Sequence, residues 1–168
     1  MSMYARLERD LNSRGDLSPI VVFLAFSIES YLNFVGVRQL AIWADLERLS
    51  WRKKVSVLHT TAKRPVDWGK DPLRFAAEVF AIRDKLAHGK PEQLVGPVFT
   101  NEEDAKRFLE HEDLQPDWFV KITREWVIEA KARFTHLMIY LGELFGYHES
   151  DHLLATTRGI MIDDGANT

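Results

Sequence analysis

The stretch Asp71-Pro-Leu-Arg-Phe-Ala-Ala-Glu-Val-Phe-Ala-Ile-Arg-Asp-Lys-Leu-Ala-His-Gly-Lys-Pro91 carries the start and stop signals of one helix and sets a cluster of ionisable side chains at its end. Asp71-Pro72 reads as a cap followed by proline at the first helical position, where the missing N–H has no partner to lose. Leu73, Phe75, Ala76, Val79, Phe80, Ile82 and Leu86 then recur with the period of one buried helix face. Gly89 suits a left-handed terminus, and Pro91 is a second stop. The ending, with Arg83, Asp84, Lys85, His88 and Lys90, has two readings: a well-capped helix end, or a group able to bind or cut a phosphodiester.

Upstream, Ser18-Pro19 is another cap-plus-proline start. Ile20, Phe23, Leu24, Ile28, Tyr31, Leu32 and Val35 keep helical spacing as far as Gly36, which predicts a first core helix. A second helical region is expected from Val37 to Thr61, restarted where Ser50 precedes Trp51. Its inner face would hold Leu40, Ile42, Trp43, Leu46, Leu49, Val55 and Leu58. Lys63 to Lys70, with Pro65 and Gly69, reads as a loop. Downstream, the pattern weakens between Glu92 and Pro116, with a Gly96-Pro97 turn and a short helix starting at Asn101.

From Asp117 the longest helix is expected, running through Val127, Ala130, Phe134, Leu137, Leu141 and Leu144 to Gly146 as the spine of the fold. The fold class is therefore all-α: an antiparallel four-helix bundle with an irregular insertion between the third and fourth core helices. One domain is expected over residues 1–168, with a core of about 18–146, a short charged helix over 3–13 and a C-terminal extension over 147–168.

Composition narrows the chemistry. The absence of cysteine excludes a disulfide framework, a thiolate zinc site and a cysteine nucleophile, and agrees with a reducing, cytoplasmic setting. The longest apolar run, Pro19 to Phe26, falls short of the roughly 20 residues that span a bilayer, so no membrane partner is expected. Arg6, Arg9 and Arg14 precede it, but Glu8, Asp10 and Asp16 are interleaved and no cleavage site follows, so the N-terminus is expected to be retained. Charge is uneven: Arg52, Lys53, Lys54, Lys63, Arg64 and Lys70 face the single acid Asp67 between 50 and 70, while acids dominate from 101 to 117. The basic stretch is either a polyanion-binding face or an ordinary solvated helix surface.

Five positions apart on an ideal helix, Arg83 and His88 stand about 140° around the axis from each other and roughly 7.5 Å along it. They diverge, so a two-fold dimer that sets two such helices side by side is the arrangement that would bring an arginine to a histidine. Asp84 shares a face with His88 and can accept a hydrogen bond from the imidazole, orienting it for general acid or base work. Arg83 can hold a phosphate with two parallel hydrogen bonds. The plainer reading makes His88 a residue matched to the negative end of the helix, Asp84 its surface partner and Arg83 a solvated cation.

The sequence Ile82-Arg83-Asp84-Lys85-Leu86-Ala87-His88-Gly89 resembles the Rx4-6H signature of the HEPN (higher eukaryotes and prokaryotes nucleotide-binding) superfamily, in which a polar residue typically follows the arginine. Ser27-Ile-Glu-Ser-Tyr-Leu-Asn33 on the first helix is similar to the family's acid-then-asparagine pattern, and the signature falls near the end of the third bundle helix, as it does there. The resemblance implies a bundle that dimerises through the motif helices and, often, a metal-independent endoribonuclease with no cofactor. In that reading Arg83, Asp84 and His88 are catalytic: Arg83 stabilises charge on the phosphoryl oxygens, His88 moves the proton and Asp84 orients it. Glu29 and Asn33 support the site from the first helix, and Lys85, Lys90, Arg52, Lys53 and Lys54 track the RNA backbone.

The implied partners are a second copy of the chain, RNA, and an antitoxin or regulatory protein, since several members are toxins or defence proteins. Some members carry a modifiable tyrosine two residues after the histidine, where this chain has Lys90. Others have lost catalysis, so a non-catalytic dimerisation or regulatory module is the alternative. A competing motif, His148-Glu149-Ser150-Asp151-His152, matches the helical zinc-protease pattern but lacks a credible third ligand, with Ala155 and Arg158 standing where the extended motif needs glycine and a ligand. No metal is expected. His59, His111 and His136 have no evident partner in the sequence.

Overall fold

A computed structural model describes residues 17–89, 93–111 and 115–148. Among these the chain is all-helical, with no strand. In order, the helices are α1 (Ser18–Gln39), α2 (Trp43–Leu46), α3 (Trp51–Thr61), α4 (Leu73–His88), α5 (Glu102–His111), α6 (Asp117–Val120) and α7 (Arg124–Glu143). The expected charged helix over 3–13 and most of the C-terminal extension lie outside the described residues.

The hub is α1, which packs against α2, α3, α4 and α7, while α4 also packs on α7. This corrects the expectation that the last helix is both the longest and the spine: α1 has 22 residues and α7 has 20. By length and composition α1 could cross a membrane, but half of its apolar window is buried against its neighbours. Ile20, Val21, Leu24, Ile28, Leu32 and Val35 of α1 meet Phe75, Val79 and Phe80 of α4 and Leu137 and Leu141 of α7 in one core cluster. Phe23, expected to point inward, is instead 49% exposed.

Helix boundaries differ from the sequence expectations for identifiable reasons. The N-cap of α1 is Leu17, and Ser18 is already helical and buried. At the other end α1 runs through Gly36 to Gln39, because that glycine makes room for a ring rather than ending the helix. A Cβ there would overlap the Trp43 side chain, which is buried at 1% exposure. The region from 37 to 61 is broken into the single turn α2 and the helix α3, and Ile42 is 60% exposed rather than inward.

Asp71 does not cap α4, whose N-cap is Pro72. Its carboxylate accepts from Arg133 Nη2 at 3.0 Å and Arg74 Nε at 3.3 Å, tying the start of α4 to α7. Glu78 completes this tie, accepting from Trp126 Nε1 at 2.7 Å and from Arg133 Nη1 at 3.0 Å. The helix expected from Asp117 starts later. After the single turn α6, Thr123 Oγ1 accepts from the Trp126 amide at 3.2 Å and caps α7, so a threonine hydroxyl sets the true start.

His59, partnerless in the sequence, is a buried polar link. Its Nδ1 lies 3.1 Å from the Pro65 carbonyl and its Nε2 lies 3.1 Å from the Tyr140 hydroxyl. A neutral ring protonated on Nδ1 satisfies both, donating to Pro65 and accepting from Tyr140. Burial lowers the His59 pKa below its ordinary 6.5, and the nearby Arg64 charge acts in the same direction against the hydrogen bonds of the loop. The unfolded chain therefore takes up a proton that the native ring resists, so stability from this group is intact above about pH 6.5 and declines as pH falls below it. Urea midpoints measured at stepped pH should fall over that window, and His59→Gln should flatten the fall.

Candidate functional site

The end of α4 is built by sequence-local rules. Val79, Phe80 and Ile82 bury one face, which leaves Arg83 half-buried at the edge of the core and Asp84, Lys85 and His88 on the exposed side. Gly89 takes the left-handed conformation, φ 42°, and its amide bonds the Lys85 carbonyl at 3.2 Å, closing the helix at His88. Lys90 and Pro91 lie outside the described residues.

Arg83 is fixed from two sides. Its Nη1 donates to Asp84 Oδ1 at 3.0 Å, and its guanidinium carbon lies 5.2 Å from the centre of the Phe80 ring. Phe80 in turn stacks on Trp51 of α3, with ring centres 4.5 Å apart and planes within 6° of parallel. Arg52 lies over Trp51 at 5.1 Å and over Trp68 at 4.9 Å. Two cations, Arg52 and Arg83, thus flank one aromatic ladder running between α3 and α4. The expected Asp84–His88 pair does not form: the carboxylate is engaged by Arg83, and no hydrogen bond joins it to His88.

Asp84 and His88 nevertheless line the same cleft, of about 560 Å³, with Lys85 and Leu86 between them. Its far wall is Leu94, Pro116 and Trp118, all from the insertion between α4 and α7. Arg83 is not part of this lining, which agrees with the helical divergence of Arg83 and His88.

The remaining site residues are placed as follows. Lys53 and Lys85 are exposed. Lys54 does not belong to a nucleic-acid face: at 1% exposure its ammonium is buried between α3 and α1, 3.0 Å from Glu29 Oε1. Burial explains the correction, since a desolvated lysine must keep its counter-ion, and Glu29 is that ion. Asn33 donates to Glu47 Oε1 at 3.4 Å, while its own Oδ1 is buried without a hydrogen-bond partner. Among the described residues neither Glu29 nor Asn33 bonds to Arg83, Asp84 or His88; both reach from α1 to the second helical region.

No group of three His, Asp or Glu side chains converges as metal ligands would, among the described residues. The zinc-protease-like tail lies outside them beyond His148. Trp118, Leu94 and Pro116 were missed by sequence reasoning. The weak periodicity of the insertion hid them, and the only signal was a tryptophan just after the Pro116-Asp117 helix start. Compared with protein families, curated proteins and solved structures, the chain matches none.

Proposed function

We propose that the chain is a HEPN-like helical domain, an antiparallel four-helix bundle that dimerises through α4 and cleaves RNA without a metal in the cytoplasm. Arg83 of one chain and His88 of the other would meet at each phosphodiester. The observation that carries this reading is the state of the motif: His88 is exposed at a closed helix end, lining a cleft, while Arg83 is held by Phe80 and Asp84. His88 takes the proton of the ribose 2′-hydroxyl or delivers one to the departing 5′-oxygen, and Arg83 neutralises charge on the phosphoryl oxygens. Arg52 and Lys53 extend the cationic path for the RNA strand. An RNase of this kind needs restraint, which an antitoxin or regulatory protein would supply.

The second reading, a non-catalytic dimerisation or regulatory module, is favoured by one feature. Arg83 is paired with its own neighbour and stacked on a core ring, a use of arginine that needs no substrate. RNA cleavage in EDTA separates the two. The wild type is expected to cut single-stranded RNA, with losses of about 10²–10⁴-fold for His88→Ala and about 10²–10³-fold for Arg83→Ala. A wild type that cuts no RNA of varied sequence selects the module.

A further inference from the structure

The cleft at the end of α4 has an aromatic wall that proton transfer at His88 does not use. Its volume, about 560 Å³, lies inside the range of small-ligand sites. Trp118, Leu94, Pro116 and Leu86 make an apolar side, and Asp84, Lys85 and His88 a polar one. A flat ring with polar edges suits that division better than an acyl chain, which has no use for the carboxylate. The apolar wall offers a phosphate no hydrogen bond, so an anionic backbone belongs on the opposite side, where Lys85 and His88 line the cleft.

We propose that the cleft receives the base of a single-stranded RNA nucleotide adjoining the cleaved phosphate, with its ring stacked on Trp118 and its amino edge turned to Asp84. This rests on the RNA-cleaving reading above and adds a subsite and a preference to it. Cytosine and adenine present an exocyclic amine that a carboxylate accepts, and guanine presents donors likewise. Uracil offers a single N3–H donor flanked by two carbonyl oxygens that the carboxylate opposes, so it is held less well. The insertion, which places Trp118 opposite the motif helix, becomes the part of the chain that selects the nucleotide.

The test is equilibrium binding of labelled 2′-O-methyl RNA pentamers to the full chain in EDTA; these cannot be cut, because the nucleophilic hydroxyl is blocked. Trp118→Ala is expected to weaken binding roughly ten- to hundredfold, the span of base–aromatic stacking, and Trp118→Phe to keep most of it. An abasic nucleotide at the docked position should cost at least as much as Trp118→Ala, because it also loses the bond to Asp84, and the two losses should not multiply. A pentamer with cytosine there should bind more tightly than one with uracil, and Asp84→Asn should erase that ratio. Trp118→Ala binding like the wild type, losses that multiply, or a Trp118→Phe protein that is folded by its urea midpoint yet as weak as Trp118→Ala would each overturn the proposal. Because the probe reports binding without cleavage, Trp118-dependent binding by a protein that cuts no natural RNA sinks the nuclease reading and leaves the base site standing. Cleavage that is indifferent to Trp118→Ala does the reverse.

Discussion

Mixing chains that carry Arg83→Ala with chains that carry His88→Ala is expected to restore about a quarter of wild-type RNA cleavage, although each variant alone is inactive. The number follows from two-fold symmetry. Random pairing makes half the dimers mixed, and in a mixed dimer one of the two sites combines the intact Arg83 of one chain with the intact His88 of the other. The remaining site lacks both groups. The composite site is proposed because Arg83 leans over Phe80 and stays outside the cleft that His88 lines. Initial rates give the answer: about a quarter of wild type for the random mixture, and about half for mixed dimers co-purified through two different tags. No recovery in verified mixed dimers would place Arg83 and His88 in one chain's site and end the composite-site proposal.

Gly36→Ala is expected to destabilise the fold by about 2–4 kcal/mol, against the direction that helix propensity alone would give. Alanine in a helix interior is favoured over glycine by about 1 kcal/mol, and Gly36 lies within α1, in its last turn. The overlap of an added Cβ with the Trp43 ring opposes that gain, and the ring is buried at 1% exposure with no room to move. Displacing it forfeits the packing of one of the largest side chains in the core. Urea unfolding of the single variant and of Gly36→Ala with Trp43→Phe should show strong non-additivity, because the smaller ring relieves the overlap. A stabilised Gly36→Ala chain would refute this account of the α1–α2 packing.

The contrast between α1 and α4 shows what kind of information a single sequence carries. In α4 the apolar period, the proline near the start and the glycine at the end agreed with one another, and the helix stops at Gly89 as expected. In α1 the same residue type misled. Gly36 looks like a terminator by local rules, but its small size serves a ring seven residues ahead, and side-chain volume at a contact is not written in propensity. Lys54 illustrates the same limit for charge: beside Arg52 and Lys53 it read as part of one basic surface, yet helical rotation turns it inward onto Glu29. His59 is the inverse case, a residue without a sequence partner whose two bonds come from Pro65 in the next loop and Tyr140 on the last long helix.

By itself the sequence determined that the chain is helical, where the main helices lie, and that Arg83 and His88 diverge on one of them, because these are consequences of local period and the geometry of a helix. Tertiary structure alone decided that α1 is the hub, that Lys54 turns onto Glu29, and that Leu94, Pro116 and Trp118 close a cleft against the motif helix. These depend on which surfaces far apart in the chain come together, and that choice is set by the summed packing of the core, to which no short stretch of sequence has access.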